Sequence, residues 1–167
     1  MSRFARQWPW CALLASVALL AAAHAFETFG HMLPCELCLK QRVGYWIVVA
    51  AAAAGLLLRR FLAGRDVTPW LNLLLAIAFA GEMGLAAYHA GVEWKFWPGP
   101  AACTGGFTRV DPAEMARLLS GAKMSIPACD RPAWIFLGLS MAGWNALIAL
   151  GLTVASAVAF LRTRRTA

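Results

Sequence analysis

Charge is what this sequence has least of. Asp, Glu, Lys and Arg make up 14% of its 167 residues and hydrophobic residues 61%, whereas a soluble domain carries about 25% charged residues and is about half apolar. The apolar surplus has to face lipid. The cysteines also lack the company that metals and haem require. No histidine follows Cys38, where Leu39 stands, which argues against c-type haem attachment. No second close cysteine pair exists, because Cys103 and Cys129 are far apart, which argues against a zinc knuckle. The basic excess sits in short clusters beside apolar runs rather than in a patch suited to nucleic acid, and it fits topology signals that touch anionic lipid headgroups.

The apolar residues concentrate in four runs, 10–26, 43–58, 70–90 and 141–161. A spanning helix needs about 20 mostly apolar residues, and flanking groups such as Glu27, Thr28, Arg59 and Leu62 extend the first two runs by snorkelling. The expectation is one all-α membrane domain over 1–167, an antiparallel bundle of four transmembrane helices spanning about 10–29, 43–62, 69–90 and 141–161. The first run also has the make-up of a signal peptide, with Arg3 and Arg6 before it and Ala23-His24-Ala25 at its end. On either reading, the chain beyond residue 26 emerges on the far side of the membrane.

Three segments, containing Arg3 and Arg6, Arg59, Arg60, Arg65 and Asp66, and Arg162, Arg164 and Arg165, hold eight bases against one acid and account for the whole formal net charge of +7. Positive loops stay cytoplasmic, which predicts both termini inside and outward loops at 30–42 and 91–140. Four of five cysteines fall in those loops: Cys35 and Cys38 in the short one, Cys103 and Cys129 in the long one. An even number on an oxidising side points to disulfides, structural or catalytic.

Pro34 suits a first helical position, which places Cys35 and Cys38 in the first turn of the second helix. The partial positive charge and free amides there stabilise a thiolate. Steps of three and four carry the same stripe from Cys35 through Cys38 to Arg42. Arg42 is therefore either a cation for these sulfurs or a headgroup contact. In the long loop, Asp111-Pro112-Ala113-Glu114 reads as a cap, a first-turn proline and a capping box. It predicts a short helix over 112–120 whose apolar stripe of Met115, Leu118 and Leu119 lies on the membrane, with a solvent-facing helix as the alternative. Gly99-Pro100 and Gly105-Gly106 flank Cys103 and predict an exposed, mobile loop, while Pro127 and Pro132 keep Cys129 out of regular structure. Trp94, Phe96 and Trp97 fit an interfacial belt. Glu82 lies within the third span, where an ionisable group is either functional or simply protonated or paired within the bundle. His24 and His31 fit an interfacial position, and Cys11, within lipid, an inert buried thiol.

Pro34-Cys35-Glu36-Leu37-Cys38 with Arg42, then Cys103 and Cys129, then Phe136-Leu137-Gly138-Leu139 before Trp144, resembles in order the pattern of the bacterial disulfide bond formation protein B family, DsbB. The resemblance covers nearly the whole chain. It implies a protein dithiol:quinone oxidoreductase of the bacterial inner membrane with its catalytic loops on the periplasmic side. A reduced DsbA-like thioredoxin-fold oxidase would attack Cys103, paired with Cys129. Cys129 would pass electrons to the Cys35–Cys38 disulfide by attacking Cys35. Cys38 would face a quinone, ubiquinone or menaquinone, with Arg42 stabilising the charge that develops on it. His89 is a candidate at the quinone, because the family has a histidine near this place. The rival of another class is a membrane carrier or binding protein for soft metal ions that uses thiolates. It predicts cysteines within spans or facing the cytoplasm. A quinone-linked enzyme of the vitamin K epoxide reductase kind carries its C-x-x-C after the loop cysteines, whereas here it comes first.

Overall fold

The computed structural model describes residues 3–62, 66–100, 119–120 and 129–165. Four long helices dominate them: α1 (Arg3–Thr28), α2 (Glu36–Phe61), α3 (Thr68–Glu93) and α4 (Met141–Arg164). Each is long and apolar enough to cross a membrane, and the chain is a multi-pass membrane protein. The surface helix expected over 112–120 lies outside the described residues except for Leu119 and Ser120.

Every helix outruns the apolar stretch that identifies it, because backbone hydrogen bonding continues into the polar flanks once a helix is nucleated. α2 starts at Glu36, seven residues before the run that begins at Val43. Its cap differs from the expected one. Cys35, expected inside the first turn, instead closes the end: its backbone is extended and its sulfur accepts from the Cys38 N–H at 3.3 Å. The thiol thereby does what a serine oxygen does at an N-cap, and Pro34, expected as the first helical residue, precedes the cap.

α3 packs most extensively on α4, α1 lies against α2 and α4, and α2 against α3. The helices alternate in direction, since Arg59 at the end of α2 and Asn72 near the start of α3 both donate to carbonyls of the first α1 turn, Arg6 and Ala5. From that end to the middle of the bundle runs an apolar core including Val48, Ala52, Leu71, Leu75 and Phe79. It is pinned further by the Trp8 indole, which donates to Ser156 Oγ at 2.8 Å.

At the opposite end, Ile135–Phe136 (β1) pairs antiparallel with Leu139–Ser140 (β2). Leu137 and Gly138, at φ 49° and 80°, form the tight turn, both in the left-handed region that a two-residue hairpin requires. Ser140 then caps α4 by accepting from the Gly143 N–H at 3.1 Å.

Candidate functional site

The cysteine end of the bundle is organised around Cys35. Capping places its sulfur at the helix N-terminus, 2.8 Å from Cys38 Sγ and 3.6 Å from His89 Nε2 of α3. Cys35 and Cys38 are free, as is Cys11, which is exposed on the lipid-facing side of α1 and not buried as expected. The thiol and backbone amide of Cys38, with His89, hold the Cys35 thiol well below the ordinary thiol range, at about 4, against the opposing effect of burial. The resting charge therefore belongs to Cys35, while Cys38 lines the adjoining cavity.

Cys129 is disulfide-bonded and 1% exposed, and it shares one buried cluster with Cys35, Leu37 and Val92. Cys103 lies outside the described residues. The chain near Cys129 is tied to α3 by Lys95, which donates to Asp130 at 2.5 Å and keeps that exposed carboxylate below its usual range. Lys95 can reach because the chain folds back at the end of α3. It takes φ 63° itself, Phe96 N–H donates to Gly91 O at 2.9 Å, and the Trp97 ring lies on Gly91 where a Cβ would meet it at 2.0 Å.

Beside Cys38 a cavity of about 380 Å³ opens between α1, α2 and α4, walled mainly by apolar side chains such as Leu20, Phe26, Trp134 and Ile148. Its polar side is built by Arg42, Gln41, His89, Glu93 and Asn145. The Arg42 side chain, 15% exposed, donates to Glu27 Oε2 at 2.5 Å and to the Ala23 carbonyl at 3.1 Å. Two neighbours on α1 thus aim its guanidinium into the cavity wall. Glu93 Oε1 stands 3.8 Å from His89 Nε2, and its buried Oε2 has no partner among the described residues.

Behind His89 a chain of side chains crosses from α3 to α2 to α4 and back. Gln41 Nε2 is 2.9 Å from His89 Nδ1, Asn145 Nδ2 donates to Gln41 Oε1 at 2.8 Å and to Glu82 Oε1 at 3.2 Å, and Tyr45 donates to Asn145 Oδ1 at 2.5 Å. Glu82, 3% exposed, fits because α2 has Gly44 opposite it: a Cβ there would come within 2.1 Å of Glu82 Oε2.

Of the predicted site residues, the structure gathers Cys35, Cys38, His89, Arg42 and Cys129 at one end of the bundle. His24 and His31 are exposed, and His24 Nδ1 lies 3.9 Å from Glu27 Oε2, the oxygen that accepts from Arg42. Gln41, Tyr45, Asn145, Glu93 and Glu27 carry no motif, and the sequence alone does not single them out as site residues. Their one sequence-level signal is polarity inside or beside an apolar run. The donor atoms of Cys35, Cys38 and His89 lie within 4.8 Å of one another, close enough for a soft metal ion to bridge them.

Comparison with known proteins agrees with this geometry. A family model described as "Disulfide bond formation protein DsbB" matches residues 5–159. Among curated relatives, Disulfide bond formation protein B of Dechloromonas aromatica is 32% identical over 96% of this chain and 94% of its own length. The proteins of that name from Vibrio vulnificus (31%; 89% of this chain, 84% of theirs) and Albidiferax ferrireducens (28%; 90% and 84%) are also similar. A buried thiol pair beside an apolar cavity, with a disulfide-bonded cysteine packed against it, occurs here in a chain that belongs to the disulfide bond formation protein B family.

Proposed function

We propose that this protein oxidises the dithiol of a periplasmic DsbA-like protein and passes the electrons through two cysteine pairs to a membrane quinone. The observation that carries this reading is the position of Cys35, buried together with disulfide-bonded Cys129 on one side and bonded through Cys38 to a cavity on the other. Thiol chemistry and an apolar site for a lipid-soluble acceptor then meet at one sulfur pair.

The exchange is a relay of thiolate attacks. Cys103, which we pair with Cys129, is attacked by a partner thiolate, and Cys129 leaves as a thiolate. The partner's second thiol closes the partner's own disulfide and releases Cys103. Cys129 then attacks Cys35 of the Cys35–Cys38 disulfide, and Cys38 leaves as the thiolate. With Cys35 engaged to Cys129, only Cys38 can carry the charge, although Cys35 holds it when both thiols are free. Lys95 and Asp130 keep the chain near Cys129 at the end of α3.

The cavity fits a quinone head. Its volume lies within the range of about 300–1,000 Å³ usual for small-molecule sites, its walls are apolar, and its polar edge offers the Arg42 guanidinium and the Glu93 carboxyl. A bound quinone supplies the sink for two electrons and two protons. Arg42, held by Glu27 and the Ala23 carbonyl, keeps a permanent cation beside Cys38, where negative charge develops. Such a sink is needed because a DsbA-like partner sits near about −120 mV, and an ordinary cysteine pair at about −200 mV or below cannot oxidise it downhill. The charge distribution supports an orientation with both termini in the cytoplasm and the cysteine loops in the periplasm of an inner membrane.

The test mixes purified protein with a reduced DsbA-like protein and a soluble quinone and monitors quinone loss. Turnover that stops in Cys38→Ser supports the proposal, and turnover independent of Cys38 refutes it. The soft-metal reading draws on the Cys35, Cys38 and His89 donors. Thiol trapping without added reductant separates the two, because a resting oxidase leaves only Cys11 to react whereas a metal site leaves Cys35 and Cys38 as thiols too.

A further inference from the structure

We infer that Tyr45, Glu82, Asn145 and Gln41 act as one chain of fixed donors and acceptors that keeps the His89 proton on Nε2, facing Cys35. The argument starts at the far end. Glu82 Oε1 accepts from Asn145 Nδ2 at 3.2 Å, as a carboxyl oxygen without a proton does in either charge state, and so turns the amide nitrogen of Asn145 toward itself. The Tyr45 hydroxyl donates to the oxygen of the same amide. The Glu82 contact selects one of the two orientations open to Asn145, because the flipped one would press its oxygen against Glu82 Oε1, and the Tyr45 hydroxyl, which can donate or accept, completes the selected one.

Once oriented, Asn145 Nδ2 donates its second hydrogen to Gln41 Oε1 at 2.8 Å. The oxygen of Gln41 is then committed, and its NH₂ faces His89 Nδ1 at 2.9 Å. An NH₂ group can only donate, so Nδ1 must offer its lone pair. A neutral imidazole has one proton, which therefore stands on Nε2, 3.6 Å from Cys35 Sγ. The groups facing His89 are Cys35, Gln41 of α2 and Glu93 of α3, and Glu93 Oε1 lies 3.8 Å from Nε2, on the side where an N–H is favourable. Among the described residues, nothing faces Nδ1 that would favour a proton there. A histidine given an Nε2–H donor by its second neighbour orients that donor on the thiolate, so the four residues are positioning residues for Cys35. Gly44 belongs to the device, because a side chain there would displace Glu82.

The inference rests on reading Cys35 as a redox-active sulfur, and its test does not depend on turnover. The protein, purified in lipid bilayers with ¹⁵N-labelled histidine, has three histidines, and His89→Gln identifies the signals of His89 by their loss. Nitrogen–proton correlation spectra should show Nε2 protonated and Nδ1 bare. In Gln41→Glu, a carboxylate oxygen replaces the NH₂, and Nδ1 should gain a proton. In Tyr45→Phe/Glu82→Leu, Asn145 is free to flip, and a second population with protonated Nδ1 should emerge. A protonated Nδ1 in the unaltered protein, or a bare Nδ1 in Gln41→Glu, would overturn the inference, as would a single unchanged tautomer in the double variant. Quinone loss assayed on the same unaltered sample separates the two claims. An inactive protein with Nε2–H defeats the proposed function alone, and an active one with Nδ1–H defeats this inference alone.

Discussion

The two ends of the bundle are built from the same four helices and solve opposite problems. From the end holding the chain termini to mid-bundle, Leu75, Phe79 and Val48 are fully buried, and the polar contacts described there occur singly, as in Trp8 to Ser156 and Asn72 to the Ala5 carbonyl. At the cysteine end the helices part around a cavity, and the polar side chains are linked from Glu82 to Cys35. In lipid, helices gain little from burying apolar groups and more from close packing and interhelical hydrogen bonds. The first end uses those contacts to close the bundle. The second gives up packing, and its connected polar groups hold the helices and aim reactive atoms at once.

If that division is right, substitutions at the two ends should fail in different ways. The largest effect is expected for Cys38→Ser, which removes the sulfur that faces the cavity. Quinone-dependent thiol oxidation should fall by at least about 10³-fold, with unchanged thermal stability. Next comes Arg42→Met, for which steady-state assays should show a loss of about 10²-fold. Arg42→Lys should recover only part of it, because an ammonium cannot reproduce the fork that meets Glu27 and the Ala23 carbonyl. Phe79→Ala opens a void in the closed end. It should lower stability by about 2 kcal/mol, seen as an earlier melting transition, with activity per folded molecule retained. Activity lost at full stability would break the comparison.

The smaller effects sharpen it. Lys95→Ala frees Asp130 from an exposed ion pair, and stopped-flow measurement of transfer from Cys129 to Cys35 should slow by about two- to threefold. The smallest change is expected in a pH profile. The thiol of Cys35 is depressed to about 4, so in the reduced protein its thiolate is complete well below neutrality and lost only as pH falls through that value. Its alkylation rate should vary less than about twofold between about pH 6 and about pH 8, whereas an ordinary thiol of pKa about 8.5 would speed up roughly 75-fold.

The spacing of apolar runs made the four helices legible, and C-x-x-C with Arg42 marked the mouth of α2, because both signals are local and follow helical periodicity. His89 is 54 residues from Cys35, and what brings them together is the rotation of α3 against α2, which no short-range pattern encodes. Glu82 stands out as an ionisable group in a span, yet its partner Asn145 comes from α4 and the space for it from the missing side chain of Gly44. Spacing alone leaves Arg42 with two readings, and the choice between them is made by Glu27 at the end of α1, a residue whose sequence context suggests only a snorkelling flank. The helix begins two residues later than the expected start at Pro34 for a chemical reason: the Cys35 sulfur takes the acceptor role at the N-cap that oxygen usually fills.

The central claim is that Cys129 and Cys35 exchange electrons directly at the mouth of α2. In Cys38→Ser, Cys35 loses its own partner and its thiolate can attack Cys129, so peptide mapping without reductant should find Cys35 joined to Cys129 and Cys103 released as a thiol. Recovery of Cys35 as a free thiol beside an untouched Cys129 disulfide would contradict the account.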